Sequence, residues 1–168
     1  MVAKCIKTFN MSNLIPTRSP SAGGKRTFII VASQFNGEYV QGLINHAREE
    51  LRALSPGATI SLQRVPGAFE IPIVVCELAS QKKADAIIAM AVILKGKTGH
   101  ASNLSRSVTD ALQRIAVDHG VPVINAVLSL DNETQARERC LKNKINRGTE
   151  AARAAVKIAG VMSKLRAK

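Results

Sequence analysis

The stretch Ala91-Val92-Ile93-Leu94-Lys95-Gly96-Lys97-Thr98-Gly99-His100-Ala101-Ser102-Asn103 decides how the rest of the chain is read. A mostly apolar run over residues 84–94 climbs into it and reads as a buried strand. The run breaks at Gly96 and Gly99, and a helical pattern resumes from Leu104. A strand that ends in a Gly-rich turn before a helix leaves backbone N–H groups unpaired at the helix start, which suits an anion. Lys97 and Thr98 add a cation and a hydroxyl fit for a phosphate. His100 beside them is the side chain best poised for proton transfer near neutral pH. Two readings stand side by side: an active-site loop that holds a phosphate and moves a proton, or a plain βα turn with a surface histidine.

Outward from this stretch the chain alternates. Thr27-Phe28-Ile29-Ile30-Val31-Ala32-Ser33 is a continuous β-branched and apolar run, the pattern of a parallel strand covered on both faces. From Glu38 the apolar positions Val40, Leu43, Ile44, Ala47, Leu51 and Leu54 recur at helical spacing, and Pro56-Gly57 ends the helix. Residues 58–65 alternate as a second strand, and 69–80 form an amphipathic helix. The third strand is 84–94, followed by a helix over 104–118 and a fourth strand over 122–130. Asp131 and Asn132 are good caps for a short helix that runs to Leu141, and Asn146 caps the last helix. Strands alternating with helices predict an α/β three-layer sandwich: four parallel strands between helical layers, joined by right-handed crossovers. Ligands in such sheets bind at the carboxyl ends of the strands. That rule gathers Phe35-Asn36, residues 67–70, 95–100 and 129–132 on one edge.

Residues 1–25 hold Ser, Pro and Gly without periodicity and read as a flexible arm before a single domain over 26–168. Hydrophobic residues make up 46% and aromatics only 3%, so the core must be aliphatic. No apolar run approaches the roughly 20 residues that span a bilayer. Lys4, Lys7 and Asn10 interrupt any signal-peptide core. Cys5, Cys76 and Cys140 are odd in number and far apart, which argues against a metal site or disulfide framework and fits a reducing cytoplasm. The net charge of +12 calls for an anionic partner. The basic residues are scattered and almost no aromatic is present for base stacking, so nucleic acid is not expected as the main partner.

Several residues can carry chemistry. Phe35, after a strand and before Gly37, can stack on a planar ring or simply close the core edge. In Val65-Pro66-Gly67-Ala68-Phe69-Glu70-Ile71-Pro72 two prolines and a glycine fix a turn, and Ala68 lets backbone approach a ligand. Glu70 either complements a helix dipole or accepts hydrogen bonds from ligand hydroxyls. Arg139 lies in a basic run with Arg137, Lys142, Lys144 and Arg147, and spacing does not choose between Arg139 and Arg137 as a phosphate grip. There is no P-loop, no GxGxxG and no GxSxG.

Together these pieces resemble the 6,7-dimethyl-8-ribityllumazine synthase family over about residues 28–161. The carriers are Phe35-Asn36, the Val-Pro-Gly-Ala-Phe-Glu-Ile-Pro string, Lys95-Gly96-Lys97-Thr98-Gly99-His100, residues 122–128 with Asp131, Thr134-Gln135-Ala136-Arg137-Glu138-Arg139, Asn146-Arg147-Gly148 and Glu150-Ala151-Ala152. The resemblance implies a flavodoxin-like fold and condensation of 5-amino-6-(D-ribitylamino)uracil with 3,4-dihydroxy-2-butanone 4-phosphate in riboflavin biosynthesis, without metal or organic cofactor. It implies that Phe35, with Asn36, stacks on the pyrimidine, and that Ala68, Phe69 and Glu70 hold the ribityl chain. The backbone of Val92, Ile93 and Leu94 would read the pyrimidine, and Asn125 would line the pocket of the adjacent subunit. Lys97, Thr98 and Arg139 would hold the phosphate, and His100 would transfer protons. The resemblance thus selects Arg139 where spacing could not.

The chain departs from the family at Ala101 and Ser102, where an aromatic and an acid are common, and at Asn125, where Phe is common. These changes motivate an alternative: a weakly active paralogue that binds flavin or lumazine, or serves as a scaffold. The family forms homopentamers with sites between subunits, and some members build shells of twelve pentamers. The short 140–146 connection allows an icosahedral shell, for which riboflavin synthase is a candidate partner. The arm would add a strand to a neighbouring subunit. The net charge motivates a third reading, a basic shell that packages nucleic acid or an acidic partner.

Overall fold

In the computed structural model, which describes residues 25–96 and 99–167, the continuous apolar run at the start forms β1 (Thr27–Ser33). Its side chains alternate between two cores. Phe28, Ile30 and Ala32 face one layer, and Ile29 and Val31 face the other. Parallel strands sealed on both sides have no wet face, which is why the run is unbroken by polar residues. α1 (Gly37–Leu54) follows, then β2 (Thr59–Val65), α2 (Ile71–Ser80), β3 (Ala86–Leu94), α3 (His100–His119), β4 (Val123–Leu130), α4 (Glu133–Cys140) and α5 (Arg147–Arg166). All strand pairs are parallel and the sheet order is β2-β1-β3-β4. α1, α4 and α5 cover the first face, α2 and α3 the second. This is the three-layer sandwich expected from the alternation, in the flavodoxin-like form that the resemblance implies. Of the arm expected over residues 1–25, residues 1–24 lie outside the described residues.

Two helix starts differ from the expected ones. α2 begins at Ile71 rather than at 69, with Pro72 in its first turn, and residues 68–70 remain in the turn. Proline fits there because first-turn N–H groups need no intrahelical partner. α3 begins at His100, four residues before the apolar period becomes visible. Ala101 alone of its first residues points inward, and Ser102 Oγ donates to Gly99 O at 2.9 Å. His100 therefore opens a helix rather than sitting in a loop.

The connection into α5 turns on Asn146, which is buried. Its Oδ1 accepts from Gly148 N at 2.9 Å, and its Nδ2 donates to Cys140 O at 2.9 Å and Lys142 O at 3.1 Å. One side chain caps α5 and holds the end of α4. Asn146→Ala removes the cap and orphans two carbonyls, so a loss of about 2 kcal/mol or more is expected. A midpoint lower by about 4–8 °C in a thermal melt would register it. Cys140 packs beneath this turn, and burial pushes its thiol up to about 12, so it stays protonated.

Candidate functional site

β1 and β3 are adjacent, yet the chain leaves their carboxyl ends in opposite directions across the sheet. Such a switch point opens a crevice. A cavity of about 530 Å³ lies there. Asn36 sits at the mouth in a left-handed conformation (φ 55°), a backbone state that asparagine tolerates better than most residues. Its Nδ2 donates to Val92 O at 2.7 Å, tying the end of β1 to the end of β3. Gln34 N donates to Val65 O at 2.8 Å and Phe35 N to Pro66 O at 3.2 Å, which draws in the turn after β2. Glu70 braces that turn by accepting from Gly67 N at 2.8 Å through Oε2.

Around this cavity stand Phe35, Asn36, Ala68, Phe69, Glu70, Val92, Ile93, Leu94 and His100, with Ser33, Gly67, Gly96, Ala101 and Leu104 completing the wall. Phe35 is 72% and Phe69 68% exposed. Large aromatics uncovered at a cavity mouth are suited to receiving a flat ring. His100, at the N-terminal end of α3, is exposed on the same rim. Lys97 and Thr98 lie outside the described residues.

Arg139 and Asn125 are not in this cavity. They line a second one of about 710 Å³, which runs along the outer side of β4 against α4 and α5. Gln135, Glu138, Arg147 and Glu150 line it as well. Arg147 is paired with Glu150, and Arg137 reaches Glu38 at 3.7 Å on the solvent side. Arg139 Nη1, by contrast, is buried and has no hydrogen-bond acceptor among the described residues. A buried guanidinium nitrogen left unpaired costs free energy, and an anion brought to it relieves that cost. The two arginines that helical spacing left equivalent are thus separated by their surroundings. Asn125 donates through Nδ2 to Thr109 Oγ1 at 3.0 Å and accepts through Oδ1 from Val127 N at 3.0 Å, so its amide is engaged within the chain.

A family model for 6,7-dimethyl-8-ribityllumazine synthase matches residues 25–163, nearly all of the described chain. The chain belongs to this family. A synthase of this name from Paraburkholderia phymatum is 39% identical, over 79% of this chain and 75% of its own. One from Leifsonia xyli subsp. xyli is 40% identical, over 82% of this chain and 87% of its own. One from an Azoarcus species is 35% identical, over 81% and 85%.

Within this lumazine synthase-family chain, the residues named from the sequence fall into two groups that share no cavity. His100 lines one cavity and Arg139 the other. Gln135, Glu138, Arg147 and Glu150 sit in strings that carry the family resemblance, yet nothing in their spacing marks them as site residues. Polar and charged helix positions of this kind are commonly solvated, and only the packing of α4 and α5 beside β4 reveals the cavity. Lys95 and Asp131, 36 residues apart, form an ion pair at 2.6 Å that no spacing rule announces. Hydrogen bonds from Lys95 and Gln135 hold the Asp131 carboxyl below the usual carboxylate range.

Proposed function

We propose that the protein condenses 5-amino-6-(D-ribitylamino)uracil with 3,4-dihydroxy-2-butanone 4-phosphate to give 6,7-dimethyl-8-ribityllumazine, releasing phosphate and water. Membership of the synthase family supports the reaction. One observation carries the site: a buried Arg139 Nη1, unpaired among the described residues, in a cavity separate from the one lined by Phe35 and His100. Each half lacks what the other has. The half with stacking rings and a proton carrier is joined to the half with the anion grip when two subunits meet.

On this reading the protein is a homopentamer, with five composite sites between neighbours. The pyrimidine stacks on Phe35, and the backbone polar groups of residues 92–94 read its edge. Glu70 takes hydroxyls of the ribityl chain beside Ala68 and Phe69. Lys97, Thr98 and the neighbour's Arg139 hold the phosphate dianion. The pyrimidine amine attacks the ketone, and loss of water gives an imine. Phosphate then leaves by elimination, and the ribitylamino nitrogen closes the ring with loss of a second water. His100, on the rim between the two substrates, moves the protons. Holding both reactants together supplies much of the rate, and acid–base help adds about 10²- to 10⁴-fold. No step calls for a metal or redox cofactor. Cys76 and Cys140 form no disulfide among the described residues, which favours the cytoplasm as the place of work. None of the described helices is long and apolar enough to cross a membrane.

The test mixes the purified protein with both substrates and follows lumazine absorbance, with sedimentation giving the assembly. Turnover from a pentamer or a multiple of it is the expected result. Tight riboflavin binding with no turnover, or an active monomer, would overturn the proposal.

A further inference from the structure

The exit of β3 at Lys95 and the helix that carries Arg139 are fastened to one another within each chain. Lys95 N donates to Leu130 O at 2.9 Å, extending the β3–β4 ladder to the rim. Beyond it, Lys95 Nζ meets Asp131 Oδ1 at 2.6 Å. Asp131 Oδ2 accepts from Gln135 Nε2 at 3.0 Å, and Asp131 N donates back to Gln135 Oε1 at 3.0 Å. Asn132, not Asp131, caps α4, accepting from Gln135 N at 2.9 Å. The Asp131 carboxylate is therefore left for the cross-loop contact. Gln135 lies one helical turn before Arg139 on the same face and lines the same cavity. At the other end, Gly96 next to Lys95 lines the cavity of Phe35 and His100.

We infer that Lys95, Asp131 and Gln135 are positioning residues, forming a clasp that sets the exit of β3, beside Gly96, in one composite site and the Arg139 helix in the next. The inference rests on the composite-site reading above. Because the two cavities belong to different sites in a ring, one clasp serves two sites. The reciprocal Asp131–Gln135 pair fixes the first turn of α4. The Lys95 ion pair carries that constraint to the loop after β3.

The clasp side chains are about half exposed, at 51% for Lys95 and 56% for Asp131, so each loss should be modest. Breaking it should raise the KM of the phosphate substrate by about five-fold. The KM of the pyrimidine should not move.

The experiment uses the full assembled protein with Lys95→Met, Asp131→Asn and Gln135→Leu, and Asp131→Glu as the conservative control. Both KM values, kcat and the affinity for inorganic phosphate are measured. The inference expects weaker phosphate binding and a raised phosphate-substrate KM in the first three variants. It expects at least partial recovery with Asp131→Glu, and no further loss when Lys95→Met and Asp131→Asn are combined. Unchanged phosphate affinity overturns it, as does an equal loss for both substrates with a lowered melting midpoint, which marks a purely structural contact. A wild-type protein that binds phosphate but makes no lumazine defeats only the proposed reaction. One that does not bind phosphate at all defeats both.

Discussion

Replacing Arg139 by methionine should raise the KM of the phosphate substrate on the order of 10- to 100-fold, the equivalent of one charge-assisted contact at about 1.5–3 kcal/mol. Methionine keeps an apolar stem and removes only the charged end. The fold should not suffer in the absence of phosphate, because Nη1 has no acceptor to lose among the described residues. Stability and binding are thus expected to move independently. In a thermal melt with added inorganic phosphate, the wild type gains stability by mass action and Arg139→Met gains less. Arg139→Lys should fall between, since an ammonium keeps the charge but not the planar two-pronged grip. A variant with wild-type phosphate affinity would remove Arg139 from the site.

The second large effect is on folding. Gly148 lies in the first turn of α5, where that helix meets α1. A Cβ placed there comes within 2.2 Å of Leu43 O, 2.9 Å of Leu43 C and 3.0 Å of Leu43 Cα. These are backbone atoms in the middle of α1 and cannot rotate away. Gly148→Ala must therefore push two packed helices apart, at a cost of about 3 kcal/mol or more. The midpoint of a thermal melt should fall by about 6–12 °C. Phosphate binding should weaken as well, because Arg147 and Glu150 in the same turn line the cavity with Arg139. Gly37→Ala is the control, since a Cβ at Gly37 meets nothing within 4 Å. Equal melting of the two variants would show that α1 and α5 can separate freely.

The parts of the fold that were legible in the chain are those governed by local pattern. β1 and β3 announce themselves because a strand buried on both faces leaves no polar residue to interrupt the run. α1 shows its 3.6-residue period because one side of it faces water. The start of α3 was hidden, since residues 100–103 offer one small buried side chain and three polar or exposed ones, too little to show a period. The candidate site was legible by a different route. The Phe35, Glu70 and His100 strings point to one rim through the rule for parallel sheets, and they do line one cavity. Arg139 could be told from Arg137 only by resemblance, because burial of one guanidinium depends on how α4 lies against α5. The division into two cavities, and the Lys95–Asp131 pair, are tertiary facts with no local signature. Nor did the family position of Asn125 foretell that its amide would be spent on Thr109 and Val127.

That last arrangement bears on the chain before it assembles, while the outer edge of β4 is still uncovered. A strand at the border of a sheet invites foreign strands to zip onto it, and fibrils grow by that route. Here Asn125 Oδ1 occupies the amide hydrogen of Val127 two residues along the same strand. An incoming peptide would find that donor already taken and would have to dislodge the asparagine from Thr109 to reach it. Asn125→Val would bare the donor and add a β-branched residue, turning a guarded border into an adhesive one.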